Sequence, residues 1–325
     1  MNIGLGLPIT DPAALLDWAR RGDAGPFSTL GLLDRLVYDN PEPLVALAVI
    51  AGATTRIRLQ TEVLLAPLRE PALLAKQAAT LDRLCDGRLV LGLGVGGRLD
   101  DHLASGTDIQ TRGRRLDQQM ALMRRLWSGQ PYDDHVGPIG PASARGGGPE
   151  VLFGGFQPAA LERVARWGDG FLAAAAPSWA AGLIDAVRAA WRSHGRAGAP
   201  RIVAQVNTAL GPPAVIDDAR TAIGRYYEFS GRAESMVAGM LTTRARSARR
   251  SRSSKASGST RSCSTATAAT PVRSTARPRF SSRTGLPGGR RGRFRLTRRA
   301  GRRRSAPRPG RRPRPAPRLR ARRSR

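Results

Sequence analysis

The chain is short of the residues that build covalent or metal-held scaffolds. It has 2 cysteines and 3 histidines in 325 residues. Two cysteines, Cys85 and Cys263, cannot staple a fold of this size, and no His/Cys cluster shows metal-ligand spacing, so no disulfide framework and no metal site are expected. The expected setting is a reducing cytoplasm. Long hydrophobic runs are also missing. The longest, Leu44 to Ala53, is about half the roughly 20 residues that span a bilayer, so no membrane partner is expected. The first residues, MNIGLGLPITD, have no charged n-region and no long apolar h-region, so no secretory leader is expected there. Acidic residues are absent from one end. Residues 244 to 325 hold 28 Arg and one Lys with no Asp or Glu; of the net charge of +30, only +1 belongs to residues 1 to 243. The first part has an ordinary globular composition, and the second does not.

Within residues 1 to 243, short apolar runs alternate with helical patterns. The stretch from Arg56 to Gly97 reads as strand, helix, strand. Ile57 to Leu65 is an apolar run punctuated by Pro67 and Pro71. From Pro71 to Leu84 the apolar residues return at helical spacing, and Pro71 suits a first helical turn. Leu89 to Leu93 is apolar on both faces, as in a parallel strand covered on both sides. Further strands are expected at Ile3 to Leu7, Phe27 to Leu33, Val151 to Gly155, Phe171 to Ala175 and Ile202 to Leu210. Helices are expected at 12–21, 42–53, 112–127, 158–167, 179–194, 217–229 and 234–241. Seven strand–helix units in alternation predict a parallel α/β fold, and a (β/α)8 TIM barrel needs about 250 residues. An eighth strand and helix should follow Thr243, and neither is legible there.

Two glycine-rich segments stand out. Gly92-Leu-Gly94-Val-Gly96-Gly97 spells G-x-G-x-x-G, yet it follows a later strand and opens no helix directly, unlike a dinucleotide fingerprint. It reads better as a strand end whose glycines let a flat ligand reach the backbone, the alternative being a turn that binds nothing. Gly154-Gly155-Phe156-Gln157 lies between a strand and the next helix. There, helix N-terminal amides suit a phosphate, and glycines permit close approach.

The stretch VLLAPLREPALLAKQAATLDRLCDGRLVLGLGVGG resembles the luciferase-like monooxygenase family of flavin- and deazaflavin-dependent oxidoreductases. So do DRLVYDNPEPLVALA, TRGRRLDQQMALMRRLWSG and PEVLFGGFQPAALERVARWGDGF. The resemblance covers residues 1 to about 243. It implies a (β/α)8 barrel with coenzyme F-420 or FMN at the C-terminal ends of the strands, acting on a small organic substrate that the sequence does not identify. A homodimer is a possible assembly.

The resemblance also implies site residues. Relatives commonly carry Asp-His where this chain has Asp34-Arg35, the histidine acting as proton donor. Arg35 stays protonated and is a poor acid. It is a candidate catalytic residue for holding an anion or the reduced flavin's charge, the other reading being an Arg–Asp surface pair. Thr61, Glu62 and Val63 end a strand where relatives carry a bulge, often with a non-proline cis peptide, that packs on the flavin ring. Glu62 is either a site carboxylate or a barrel-mouth residue in water. Gly94, Gly96, Asp34 and Asp100 are candidate cofactor contacts, and Gly97 stands where some relatives carry an acidic base. His102 is a candidate acid, against the alternative of a surface histidine. Gly154, Gly155, Phe156 and Gln157 are implied to bind the cofactor phosphate.

Residues 244 to 325 are read as a disordered tail, because Arg, Ser, Ala, Pro and Gly cannot bury enough apolar surface to offset ordering entropy. Such a tail would bind nucleic acid non-specifically through phosphates. A nucleic-acid-binding protein is therefore the alternative function, although Phe280 and Phe294 are the tail's only aromatic residues. The other reading of the tail is a shifted reading frame, since those five residue types are what GC-rich codons give out of frame.

Overall fold

The computed structural model describes residues 2–7, 14–174, 177–242 and 262–268. The elements alternate along the chain as the apolar pattern demands. Strand β1 is Asn2–Leu7, α1 Leu15–Ala24, β2 Thr29–Leu32, α2 Pro43–Ala53, β3 Arg58–Thr61, β4 Leu64–Leu65 and α3 Pro71–Leu84. Then come β5 Leu89–Gly94, α4 Leu99–Ala104, α5 Arg112–Trp127, β6 Glu150–Gly154, α6 Pro158–Trp167, β7 Gly170–Ala173 and α7 Pro177–Ser193. The last are β8 Arg201–Thr208, α8 Pro213–Tyr227, α9 Ala233–Ala238 and β9 Ser262–Ala268.

The strands pair in the order β3-β2-β1-β9-β8-β7-β6-β5, every pairing is parallel, and a further β3–β5 pairing closes the ring. β3 and β4 are one barrel position. The run from Ile57 to Leu65 is interrupted at Glu62–Val63, whose peptide bond is cis, and β4 resumes the pairing on β5. The architecture is an α/β barrel of parallel strands with outer helices.

The eighth strand, expected to be missing, is present as β9. It lies between β1 and β8, with Gly4 opposite Thr265 and Gln205 opposite the same residue on the other side. Ladder bonds need only backbone N–H and C=O groups. The segment SCSTATA has neither Pro nor Arg, and its threonines favour strand geometry. The rest of the Arg-rich tail, with its nucleic-acid reading and the expected eighth helix, lies outside the described residues.

Helix boundaries follow local chemistry. α2 and α3 use the same device: Glu42 and Glu70 accept from the free amides of the first turn, Val45 N at 2.8 Å and Ala72 N at 2.6 Å, and a proline follows each. α3 ends at Asp86 and Gly87, both with positive φ. α5 buries Leu116, Met120, Met123, Leu126 and Trp127 at helical spacing. The outer core joins these helices to the outward faces of the strands, whereas the barrel interior is a separate cluster of Val90, Leu152, Leu172 and Val203, with Val63 packed on it. No helix among the described residues is long and apolar enough to cross a membrane.

Because β9 is paired on both sides, Thr265→Pro removes a ladder donor from a closed ring. The expected outcome is a loss of at least roughly 2 kcal/mol in urea unfolding. An unchanged midpoint would show that β9 contributes nothing to the barrel.

Candidate functional site

The C-terminal ends of the strands carry the candidate residues. At the cis bond, Thr61 Oγ1 donates to Gly92 O at 2.7 Å. A Cβ on Gly92 would overlap the Thr61 carbonyl, so glycine is what lets β3 and β5 approach this closely. Val63 rests between two strand-end glycines: a Cβ would lie 2.5 Å from its Cγ2 at Gly94 and 3.2 Å from its Cγ1 at Gly154. The Glu62 side chain lies over Gly31 of β2 and accepts from Gln60 Nε2 at 3.1 Å. Thr61, Glu62, Val63, Gly94 and Gly154 therefore meet at one place, although they come from three barrel positions.

Asp34 is 5 % exposed, and its carboxylate is committed to the scaffold. Oδ2 accepts from Leu65 N at 2.7 Å and from Arg69 at 2.6 Å, and Oδ1 accepts from Arg69 at 3.1 Å. Arg69 also reaches Glu42 at 2.9 Å, and its guanidinium is held protonated by these two carboxylates although burial opposes it. Asp34 thus fixes the turn after β4. The sequence reading missed Arg69, since nothing local marks it.

Arg35 is buried and paired, not a surface residue. Its Nε donates to Asp101 Oδ2 at 2.5 Å and a terminal nitrogen lies 3.5 Å from Asp100. Asp101 Oδ1 accepts from Leu36 N and Val37 N, at 3.0 and 2.8 Å. The carboxylate facing Arg35 most directly is therefore Asp101, with the cofactor candidate Asp100 farther away. One helical step turns the side chain by about 100°. Asp100 bonds Arg98 at 2.8 Å, and that bond holds its carboxyl below the usual range.

His102 is not the surface histidine of the alternative reading. It is fully buried. Its Nε2 lies 3.2 Å from the Val95 carbonyl and Nδ1 3.0 Å from the Thr107 hydroxyl. A carbonyl only accepts, so Nε2 carries a proton committed to Val95. His102 ties the loop after β5 together, and Gly96, at φ +73, leaves room for its ring.

Gly154, Gly155, Phe156 and Gln157 link β6 to α6. Gln157 is the N-cap residue of α6 and makes no side-chain cap bond. A Cβ on Gly155 would lie 2.5 Å from Ala160 Cβ, so glycine is required where the turn crosses the helix. The Arg232 guanidinium stands 5.4 Å from the Phe156 ring centroid.

Arg232 belongs to a segment, from Tyr226 to Arg232, that no local motif singled out. Tyr226 stacks edge-on with Tyr38 at 5.7 Å, and Arg35 lies over both rings. Phe229 sits against Gly97, with Arg98 over its ring at 4.9 Å. Burial pushes the Tyr226 and Tyr227 hydroxyls upward, so both stay protonated at neutral pH. The helix that carries Tyr226 and Tyr227 was legible; their partners across the mouth were not.

Arg69→Ala leaves Asp34, with its side chain 4 % exposed, without its cation. The expected loss is about 3 kcal/mol in urea unfolding. A loss below the error of that measurement would show that the Leu65 amide alone suffices.

A sequence model of the luciferase-like monooxygenase family matches residues 3–280. An uncharacterized protein of Mycobacterium tuberculosis is 34% identical over 143 residues, 40% of this chain and 47% of that protein. F-420-dependent glucose-6-phosphate dehydrogenase of Kineococcus radiotolerans is 31% identical over 169 residues, 48% of this chain and 50% of that enzyme. The chain thus spans about half the length of the curated relatives it matches. Among solved structures, a monooxygenase from Streptomyces bottropensis is 26% identical with a TM-score of 0.60, over 74% of this chain and 80% of that one. An F-420-dependent secondary alcohol dehydrogenase, 18% identical, shares the fold with a TM-score of 0.67 over 82% of this chain and 94% of that one. The oxygenating component of a Pseudomonas putida diketocamphane monooxygenase, in complex with FMN, is 16% identical with a TM-score of 0.60, over 74% and 78%. With the family match running through β1, the Glu62–Val63 break, the glycine ends of β5 and β6 and α6, this chain belongs to the luciferase-like monooxygenase family.

Proposed function

We propose that the protein is an oxidoreductase or monooxygenase that uses reduced coenzyme F-420 or FMN on a small organic substrate. One observation carries this reading: Val63, packed over Gly94 and Gly154, forms the floor of a seat beside the side-chain-uncapped N-terminus of α6. A flat ring system would lie against Val63, whose methyls occupy the space over Gly94 and Gly154. A phosphate fits the amides of the Gly154–Gln157 turn, with the positive end of the helix dipole behind it. The F-420-dependent and FMN-bound relatives support the choice of these two cofactors.

The bound cofactor would supply hydride transfer or oxygen activation. The chain's own groups would do the rest. Glu62, at the mouth, is the carboxylate placed to exchange a proton with substrate. Arg35, held by Asp101 and flanked by Tyr38 and Tyr226, supplies fixed positive charge. Phe229 and Tyr227 exclude water from the side of α8. The proposal extends to a cytoplasmic setting and a homodimer, for which exposed Val45 and Val49 on α2 are the surface to test.

Fluorescence titration with each cofactor decides the reading. Binding of F-420 or FMN is expected, and Gly155→Glu, which drives a negative bulky side chain toward Ala160 and the phosphate, should weaken it at least roughly 100-fold. Unchanged affinity in that variant would move the site elsewhere. Glu62→Gln should leave cofactor affinity within about twofold and lower turnover by roughly 100-fold or more, as loss of a proton-transfer group does; full turnover would remove Glu62 from the chemistry.

A further inference from the structure

The N-terminal end of the barrel, opposite the seat, holds a feature that the proposed reaction does not use. A cavity of about 410 Å³ opens there, its lining including Thr29, Arg58, Arg145, Glu150, Asp169 and Arg201. Arg58, Glu150 and Arg201 start β3, β6 and β8, and all three line the cavity. Volumes of this order hold small molecules.

The charges in the cavity do not balance. Glu150 takes Arg58 on Oε2 and Arg201 on Oε1, the latter at 2.7 Å. Both oxygens are thereby used. Arg145 approaches the same carboxylate only to 3.8 Å, its side chain is 52% exposed, and it has no shorter ion pair among the described residues. Asp169 is occupied elsewhere: it accepts from Val151 N at 2.8 Å and faces Arg124 at 3.5 Å. Asp82, behind the loop, accepts from Ala144 N at 3.0 Å, and burial raises its carboxyl toward the neutral form. Among the described residues, three guanidinium groups thus face one carboxylate, Glu150, whose two oxygens are both taken, with Asp169 beside them. Burial, with a smaller contribution from the neighbouring Arg201 and Arg145, pulls Arg58 below the ordinary arginine range despite Glu150. A device for stability alone needs two arginines on one carboxylate, one per oxygen. The third arginine, on a solvent-facing loop, is what a ligand-binding reading explains.

We propose that this cavity is a binding site for a phosphate dianion, free or as a small phosphate monoester, with Arg145 as the closing cation and Arg58 and Arg201 as the buried ones. Guanidinium forks match phosphate oxygens in geometry as well as charge. A dianion brings the cavity close to neutrality, and its entry from solvent passes Arg145 first. The site is separate from the cofactor seat, which lies at the opposite end of the strands.

The test uses the full chain and inorganic phosphate, with chloride at matched ionic strength as the control. Binding is read by phosphorus NMR line broadening and by the thermal midpoint. Phosphate is expected to broaden and to raise the midpoint where chloride does not. Arg145→Gln should weaken binding roughly tenfold. Gly155→Glu, which blocks the α6 turn, should leave it within about twofold, which separates this site from the cofactor phosphate site. Glu150→Gln should lower the midpoint without phosphate and regain most of the loss with it, because the added anion replaces the missing carboxylate. Equal effects of chloride, or binding lost in Gly155→Glu and kept in Arg145→Gln, would overturn the proposal. If Glu150→Gln does not fold, the first two variants still decide.

Discussion

The close approach of three strand ends is the constraint on which the candidate site depends. Val63 can occupy its place only because β5 and β6 end in glycines at that level, and β3 can reach β5 only because Gly92 has no side chain where the Thr61 carbonyl lies. Any larger residue at these positions would force the strands apart. The seat at the mouth and the closure of the ring are therefore one packing problem. Its solution leaves the Val63 side chain lying over the strand-end glycines.

Electrostatics divides the barrel into two ends with different logic. At the mouth, charged groups form close pairs: Asp34 with Arg69, Arg35 with Asp101, Asp100 with Arg98. Burying these charges is tolerable because each carboxylate also takes hydrogen bonds from backbone amides or from a second cation. The pairs lock the loops after β2, β4 and β5 against one another. Motion in one loop would break charge pairs in the next, so the mouth is held as a unit. At the opposite end, Glu150 serves several arginines at once, and the field stays positive.

Much of the fold was legible in the chain. The helical spacing from Pro71 to Leu84 and from Arg112 to Trp127 gave bounds that the structure keeps, because in both an amphipathic pattern ends in strong terminal signals. α4 escaped notice because six residues rich in charge show too little periodicity. β9 escaped because its residues are small and polar, whereas a barrel strand flanked on both sides draws its place from backbone pairing. At the site, the glycines and the Thr61–Val63 stretch were marked by composition and by resemblance. Arg69, Asp101, Tyr226 and Phe229 were not, since each matters through a partner far away in the chain: 35 residues separate Arg69 from Asp34, and 66 separate Asp101 from Arg35.

By itself the sequence determined the alternation of strands and helices, the position of the glycine-rich strand ends and the concentration of positive charge beyond residue 243. These are properties of local composition and period, which no neighbour can change. Only the tertiary structure decided which side chains are spent on holding the barrel together. It committed Asp34 and His102 to the scaffold, brought Glu62 and Val63 over the glycines of other strands, and gathered three arginines around Glu150. The reason is that a hydrogen bond or an ion pair depends on distance in space, and in a closed parallel barrel every neighbouring strand is separated in the chain by at least a crossover connection.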